Sequence, residues 1–153
     1  MTSAIAAWES LFRSQVRVLR VLNAEFPEDV LSFNEYDVLF TVAREPQREL
    51  RMRELTRNVL LSQSTLSRLV DRLVSRGLLV KREDPRDGRG AVVAMTDDGM
   101  AAFKKVAREH GASIEQHISQ ALNREELAEL ERICLKLQRS MPDVAPNASR
   151  TPL

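Results

Sequence analysis

The sequence predicts a mainly α fold carrying one small β-hairpin, and three observations make the case. Apolar residues recur at three- and four-residue spacing along most of the chain, the period of a helix face. Aromatics are only 5% of the residues, so the core must be built chiefly of Leu, Val, Ile and Ala. The clearest change of period falls between Leu78 and Met95, around the turn-forming run DPRDGRG. At 153 residues the chain suits one domain with a real hydrophobic core.

Taken in order, Ile5, Trp8, Phe12, Val16, Leu19, Leu22 and Phe26 mark a first amphipathic helix over about 3–25. Arg13, Arg17 and Arg20 sit off its stripe, and Pro27 closes it. Ser32 and Glu35 form an S-x-x-E capping box, with Leu31 and Tyr36 at the positions of a hydrophobic staple. A second helix therefore begins at Phe33 and runs to about Arg44, burying Tyr36, Leu39, Phe40 and Val42 or Ala43, and Pro46 ends it. Leu50 and Arg51 suit a brief strand against the hairpin, and Met52 to Asn58 a short helix.

The next helix, about 63–76, has Leu66, Leu69, Val70 and Leu73 at i, i+3, i+4 and i+7, so one face is apolar. Ser64, Thr65, Ser67, Arg68 and Arg72 lie around the rest. Ser62 can cap its first turn, and Gly77 can take the left-handed conformation that ends its last. Leu78 to Glu83 and Ala91 to Met95 then read as two strands, with Arg86 and Arg89 near the tip of the hairpin. A short helix, a helix able to enter a major groove and a basic-tipped hairpin follow one another as in a winged helix-turn-helix.

Beyond the hairpin, Thr96 caps a long helix whose apolar positions are Met100, Phe103, Val106 or Ala107, His110, Ile114, Ile118 and Leu122. Asn123 with Glu126 opens a last helix carrying Leu127, Leu130, Ile133, Cys134, Leu137 and Met141, stopped by Pro142. Residues 142–153 are polar and proline-rich and are expected to be a disordered tail. The first and last two helices hold more apolar positions than a lobe of about 65 residues can cover. At about 25 cal/mol per Å² of apolar surface, leaving those stripes wet is costly, so they are expected to be buried in a second copy of the chain.

Charge is sorted along the sequence although the net value is only +1. Residues 44–90 hold twelve Lys or Arg against seven Asp or Glu, and the remainder eleven against fifteen. The basic half coincides with the helix and hairpin, which points to double-stranded DNA as the partner. No run of about 18 apolar residues exists and the first residues lack a basic segment, so neither a membrane span nor a signal peptide is expected and the location is read as cytoplasmic. Cys134 stands alone, which excludes an internal disulfide, and its apolar neighbours make it a buried inert thiol rather than a redox sensor. His110 and His117 lack further ligands at matching spacing, so no metal or other cofactor is expected. A glycine-rich phosphate loop, a nucleophile elbow and an H-E-x-x-H motif are all missing, and enzyme activity is not expected.

From about Ser32 to Gly99 the chain resembles the MarR (multiple-antibiotic-resistance regulator) family of transcription factors. The resemblance is carried by LSQSTLSRLVDRLVSRGLLVKRE and by a hairpin of the D-x-R-x-x-V-x-(L/M)-T-x-x-G kind, here Asp87, Arg89, Val92, Met95, Thr96 and Gly99. Gly88 stands where many members carry an arginine, which leaves this hairpin one charge poorer. The resemblance implies a homodimer built from the terminal helices, reading a pseudo-palindromic operator as a repressor and released by a small anionic or phenolic ligand. It implies a single domain over 1–141, with a DNA-binding lobe at about 33–96 and dimerisation helices at 3–25 and 97–141.

The candidate DNA contacts are Ser62, Gln63, Ser64, Thr65, Ser67, Arg68, Arg72, Arg86 and Arg89. Arg68 and Arg72 have the fork geometry for guanine or phosphate, Gln63 suits adenine, and the hydroxyls suit phosphate oxygens or base edges. Arg72 has a second reading, an ion pair within its helix or with a glutamate on an adjacent segment. Asp87 is expected to orient Arg89, since a bare carboxylate is repelled by phosphate. For a ligand, Trp8, Phe12 and Tyr36 can line a crevice in which Arg13 or Arg17 meets a carboxylate, the alternative being ordinary dimer core. A winged helix serving purely as a protein-interaction module is the alternative function, and the sorted charge favours DNA.

Overall fold

The computed structural model describes residues 3–142 and 144, and for Asp87 and Arg89 the backbone alone. The tail expected over 142–153 thus falls, but for Pro142 and Val144, outside the described residues. The order of elements is α1 (Ala4–Ala24), α2 (Phe33–Ala43), β1 (Glu49–Arg51), α3 (Met52–Asn58), α4 (Gln63–Ser75), β2 (Leu79–Asp84), β3 (Asp87–Met95), α5 (Asp97–Ala121) and α6 (Arg124–Ser140). The strands form one antiparallel sheet in the order β1-β3-β2, so the fold is a winged helix flanked by long helices.

Local chemistry sets the boundaries. The capping box at α2 is complete: Glu35 N–H donates to Ser32 Oγ at 3.3 Å, and Ser32 N–H to Glu35 Oε2 at 2.8 Å. Asn123 and Glu126 make the same reciprocal pair at α6. Gly77 ends α4 with φ of 72°, a left-handed conformation that a side chain would strain. Gly99 answers a different need. A Cβ there would lie 2.0 Å from the Leu78 carbonyl oxygen, so only glycine lets the first turn of α5 approach that backbone.

The core is gathered around α4. Leu66, Leu69, Val70 and Leu73 pack with Leu31, Val38, Leu39 and Val42 of the α2 region, Leu55 of α3, Leu79 and Val93 of the sheet, and Val106 of α5. Val38 was missing from the sequence-derived core of α2, while Phe40 was assigned to it and is 38% exposed. The reason is rotational. Phe40 stacks beside Tyr36 and Phe103 at the edge of the lobe, with the Arg44 guanidinium over its outer face, and Val38 takes the inward position.

The hairpin is longer and tighter than expected. Residues 87–90, read from sequence as loop, belong to β3, and Asp84 pairs with Asp87 across a turn at Pro85 and Arg86, with a register irregularity between Glu83 and Asp84. Turn-forming residues here are compatible with strand because this ribbon pairs on one side only near its tip, where β1 no longer reaches it.

Outside the lobe the pattern reverses. In α1 Leu22 alone is buried among the described residues, α6 buries none, and Ile5, Trp8, Phe12, Leu130, Ile133, Leu137 and Met141 are exposed. Cys134, expected to be buried, is half-buried in the single chain. Phe26, counted with the α1 stripe, lies past the end of that helix and is buried against Phe33, Tyr36 and His110.

His110 is the centre of this aromatic joint. Its ring meets those of Phe26, Tyr36 and Phe33 edge-on at 5.1, 5.2 and 5.9 Å, and its Nδ1 has no hydrogen-bond partner among the described residues. Burial pushes the imidazole below its ordinary pKa. The unfolded chain therefore binds the proton more readily than the folded one, so His110 favours the fold fully above about pH 6.5 and progressively less below it. The expected outcome is a stability, measured by urea denaturation, that declines as pH falls below about 6.5, and a shallower decline in His110→Leu.

Candidate nucleic-acid interface

The exposed side of α4 starts with a cluster of hydroxyls. Ser62 Oγ accepts from Thr65 N–H at 3.2 Å and also lies 2.8 Å from Thr65 Oγ1 and 3.2 Å from Ser64 Oγ, so capping and the predicted contact surface are the same atoms. Arg68 follows on the exposed face, with no ion-pair partner among the described residues. Gln63 and Ser67 face a neighbouring flank. With Arg51, Arg53, Thr56 and Lys81 they line an open cleft of about 310 Å³ between α3, α4 and the base of the hairpin.

Arg72 behaves differently from Arg68. Its Nε lies 3.3 Å from Glu35 Oε1, which realises the pairing with a glutamate of an adjacent segment, though its side chain remains 59% exposed. Arg86 is exposed at the hairpin tip, and its backbone N–H donates to Asp84 Oδ1 at 2.9 Å. Arg89 lies three residues beyond it on β3, and its side chain and that of Asp87, with the orienting role expected between them, lie outside the described residues.

Among the described residues, three ion pairs hold the hairpin to its neighbours. Arg51 Nε sits 2.8 Å from the buried Asp84 Oδ2, Arg82 Nη2 2.5 Å from Glu49 Oε2, and Lys81 Nζ 3.0 Å from Asp71 Oδ1. The first two join β2 to β1, and the third joins it to α4. Sequence reading missed Arg51, Arg53 and Lys81 as neighbours of Gln63 and Ser67. Their basic character and the pairing of the Leu50–Arg51 strand with the hairpin were both expected, but the register that brings these side chains together is written in no local pattern.

The predicted ligand residues fall into two groups. Trp8 and Phe12 stack at 6.0 Å on α1, and Phe12, Arg13 and Arg17 line an open cleft of about 470 Å³ with Arg20 and Val16. Tyr36 belongs to the aromatic joint instead, stacked on Phe103 at 5.4 Å. His110 and His117 are likewise separated in role, for His117 Nε2 lies 2.9 Å from the Glu25 carboxylate while His110 is buried. No group of three or more His, Cys, Asp or Glu residues is placed to hold a metal among the described residues.

This arrangement recurs in known proteins. A family model described as the MarR family matches residues 31–90, the span from the α2 cap through the hairpin. The solved structure of Sco3205, a MarR family transcriptional regulator from Streptomyces coelicolor in complex with DNA, superposes with a TM-score of 0.75 at 25% identity, covering 96% of this chain and 95% of that one. Over the winged helix, the chain is similar to the MarR family. Among curated MarR-family relatives, the multiple antibiotic resistance protein MarR of Salmonella typhimurium is 30% identical over 84 residues, or 55% of this chain. That match spans 58% of the relative's own length, less than two thirds of it. The HTH-type transcriptional regulator PecS of Dickeya dadantii is 28% identical over 102 residues, covering 66% of this chain and 61% of PecS.

Asp84→Ala leaves the Arg51 guanidinium and the Arg86 amide without their acceptor near the tip of the hairpin. The substitution is expected to cost about 1.5–3 kcal/mol, the usual range for hydrogen bonds to a charged group. Urea denaturation reads the loss, and faster amide exchange confined to β2 and β3 places it; exchange unchanged in both strands means the pair does not hold the hairpin.

Proposed function

We propose that this chain is a MarR-family member and a sequence-specific DNA-binding transcriptional regulator, acting as a homodimer on a pseudo-palindromic operator. The observation that carries the reading is the joint exposure of the α4 hydroxyls, Gln63 and Arg68 beside a hairpin whose tip presents Arg86. A helix of that kind reads base edges in the major groove, and a basic ribbon beside it reaches phosphates or the adjacent minor groove. In this reading Ser62, Ser64, Thr65 and Ser67 meet phosphates or base edges, Arg68 and Gln63 discriminate bases, and Arg86 and Arg89 hold the backbone. Arg72, expected from the sequence among the contacts, is paired with Glu35 and makes no DNA contact in this reading.

Dimerisation is supported by the bare apolar faces of the terminal helices, where Ile5 is 73%, Trp8 63% and Met141 62% exposed. Two copies burying α1, α5 and α6 against each other would remove that surface from water and set two reading helices about one duplex turn apart. Occupying an operator in this way blocks transcription, so the regulator is proposed to be a repressor. The α1 cleft, with Phe12 beside Arg13 and Arg17, suits a small anionic aromatic ligand that would release it. Tyr36 joins such a site only if the ligand reaches the aromatic joint. No helix of the described residues is long and apolar enough to cross a membrane, and a regulator of this kind works in the cytoplasm.

Binding to DNA from the gene's own upstream region, followed by fluorescence anisotropy over a salt series, tests the reading. Arg89→Ala is expected to weaken specific and random duplexes alike and to flatten the salt dependence by about one phosphate. Arg68→Ala is expected to cost about 1–3 kcal/mol on the specific duplex and far less on the random one. A wild-type chain that binds no duplex at about 50 mM salt would leave the protein-interaction module as the better reading. Sedimentation equilibrium checks the assembly, with twice the chain mass expected.

A further inference from the structure

Glu35 does more than cap α2. Its residue is 5% exposed, yet its carboxylate takes the Ser32 amide at 2.8 Å, Arg72 Nε at 3.3 Å and Arg76 Nη1 at 3.0 Å. The second edge of the Arg76 guanidinium donates to the Val30 carbonyl at 2.6 Å, so Arg76 is gripped by two acceptors at the start of α2. Burial alone would raise the Glu35 pKa, but the Ser32 amide and Arg76 outweigh it and hold the carboxyl below the usual carboxylate range. It is therefore a fixed negative charge under the second half of α4. On the opposite flank Asp71 is tied to Lys81. The helix is thus fastened on both sides beyond Arg68, while Arg68 itself has no ion-pair partner among the described residues.

Thr65, Arg68 and Arg72 share one stripe of α4, being three and seven residues apart. A free Arg72 there would add a cation that grips any phosphate, whatever the sequence beneath. An Arg72 whose Nε is paired with a buried carboxylate is withheld from that role, while the core packing of Leu66, Leu69, Val70 and Leu73 sets the rotation of the helix. We propose that Glu35 is a specificity-determining positioning residue: it restrains Arg72 and Arg76 so that discrimination rests on the first half of α4. This rests on the DNA-reading function proposed above and extends it to a residue that touches no DNA.

Glu35→Gln keeps an acceptor for the Ser32 amide and removes the charge, so the cap survives while the restraint is lost. Wild type, Glu35→Gln, Arg72→Gln and the double variant are titrated by anisotropy with the specific and a random duplex across a salt series, with thermal melts as the check on folding. Glu35→Gln is expected to bind the random duplex about 3–10-fold more tightly, to lose a similar factor of discrimination, and to steepen the salt slope by about 0.9, one added phosphate contact. The double variant is expected to return the slope to the wild-type value, and Arg72→Gln alone to leave slope and discrimination unchanged.

A Glu35→Gln protein with unaltered slope and discrimination, or one weakened equally on both duplexes, overturns the proposal. If Glu35→Gln does not fold, Arg72→Gln decides alone: a slope flattened by about 0.9 means Arg72 already grips phosphate, and Glu35 withholds nothing. A wild-type chain that binds neither duplex removes the DNA-reading function and this proposal together. Wild-type binding with either of the contrary results above removes only the role of Glu35.

Discussion

The structure turns on the meeting of α4, the hairpin and α5 within a few ångströms of one peptide carbonyl. Thr96 Oγ1 donates to Gly77 O at 2.7 Å and lies 3.1 Å from Leu78 O, while Gly99 N–H donates back to Thr96 Oγ1 at 2.9 Å. Thr96 N–H reaches Leu78 O at 3.2 Å as well. Gly77 ends one helix, Leu78 opens the hairpin, Met95 closes it, and Thr96 starts the next helix. All four meet only because Gly99 carries no side chain. If that approach fails, the reading helix, the hairpin and the long helix lose their common reference point, whatever the quality of each alone.

Hydrophobic packing then fixes how α4 faces its surroundings. Its four buried apolar residues consume one side of the helix, and the ion pairs to Glu35 and Lys81 limit what remains to a narrow outward strip. Ion pairs of this exposure contribute little to stability, often well under 1 kcal/mol. Their value is in orientation, since each one assigns a particular side chain to a particular neighbour. Glu35 and Asp84 are the exceptions, both buried and both multiply bonded, one tying α2 to α4 and the other tying the end of β2 to β1.

Much of this fold was legible in the sequence because its boundaries are written locally. Ser32 with Glu35, Asn123 with Glu126, Thr96 and Gly77 each act within four residues, and the helices begin and end where those residues say. The i, i+3, i+4, i+7 pattern likewise gave the buried face of α4 in full. Phe40 and Val38 were misjudged because a side chain at the margin of an apolar stripe is decided by what packs opposite, here Phe103 of α5. The hairpin loop was overdrawn for a similar reason: strand pairing across Asp84 and Asp87 is a nonlocal fact that turn-forming residues conceal. At the candidate site, residue types singled out Arg68 and the hydroxyls as candidates. They could not choose between the two readings of Arg72, because the deciding carboxylate lies on another helix.

Helix α5 gives the fold a mechanical property. Its 25 residues make a rod about 37 Å long, anchored at its first turn by the Thr96 and Gly99 contacts and free of the lobe's core beyond His110. Leverage follows from those dimensions. A bend of about ten degrees at His110, the last buried residue of the helix, carries the far end, about 17 Å away, through about 3 Å, close to the rise from one base to the next along a DNA strand. A bend that leaves the packed first half of the rod in place is thus carried by its second half into a displacement on the scale of a nucleic-acid register.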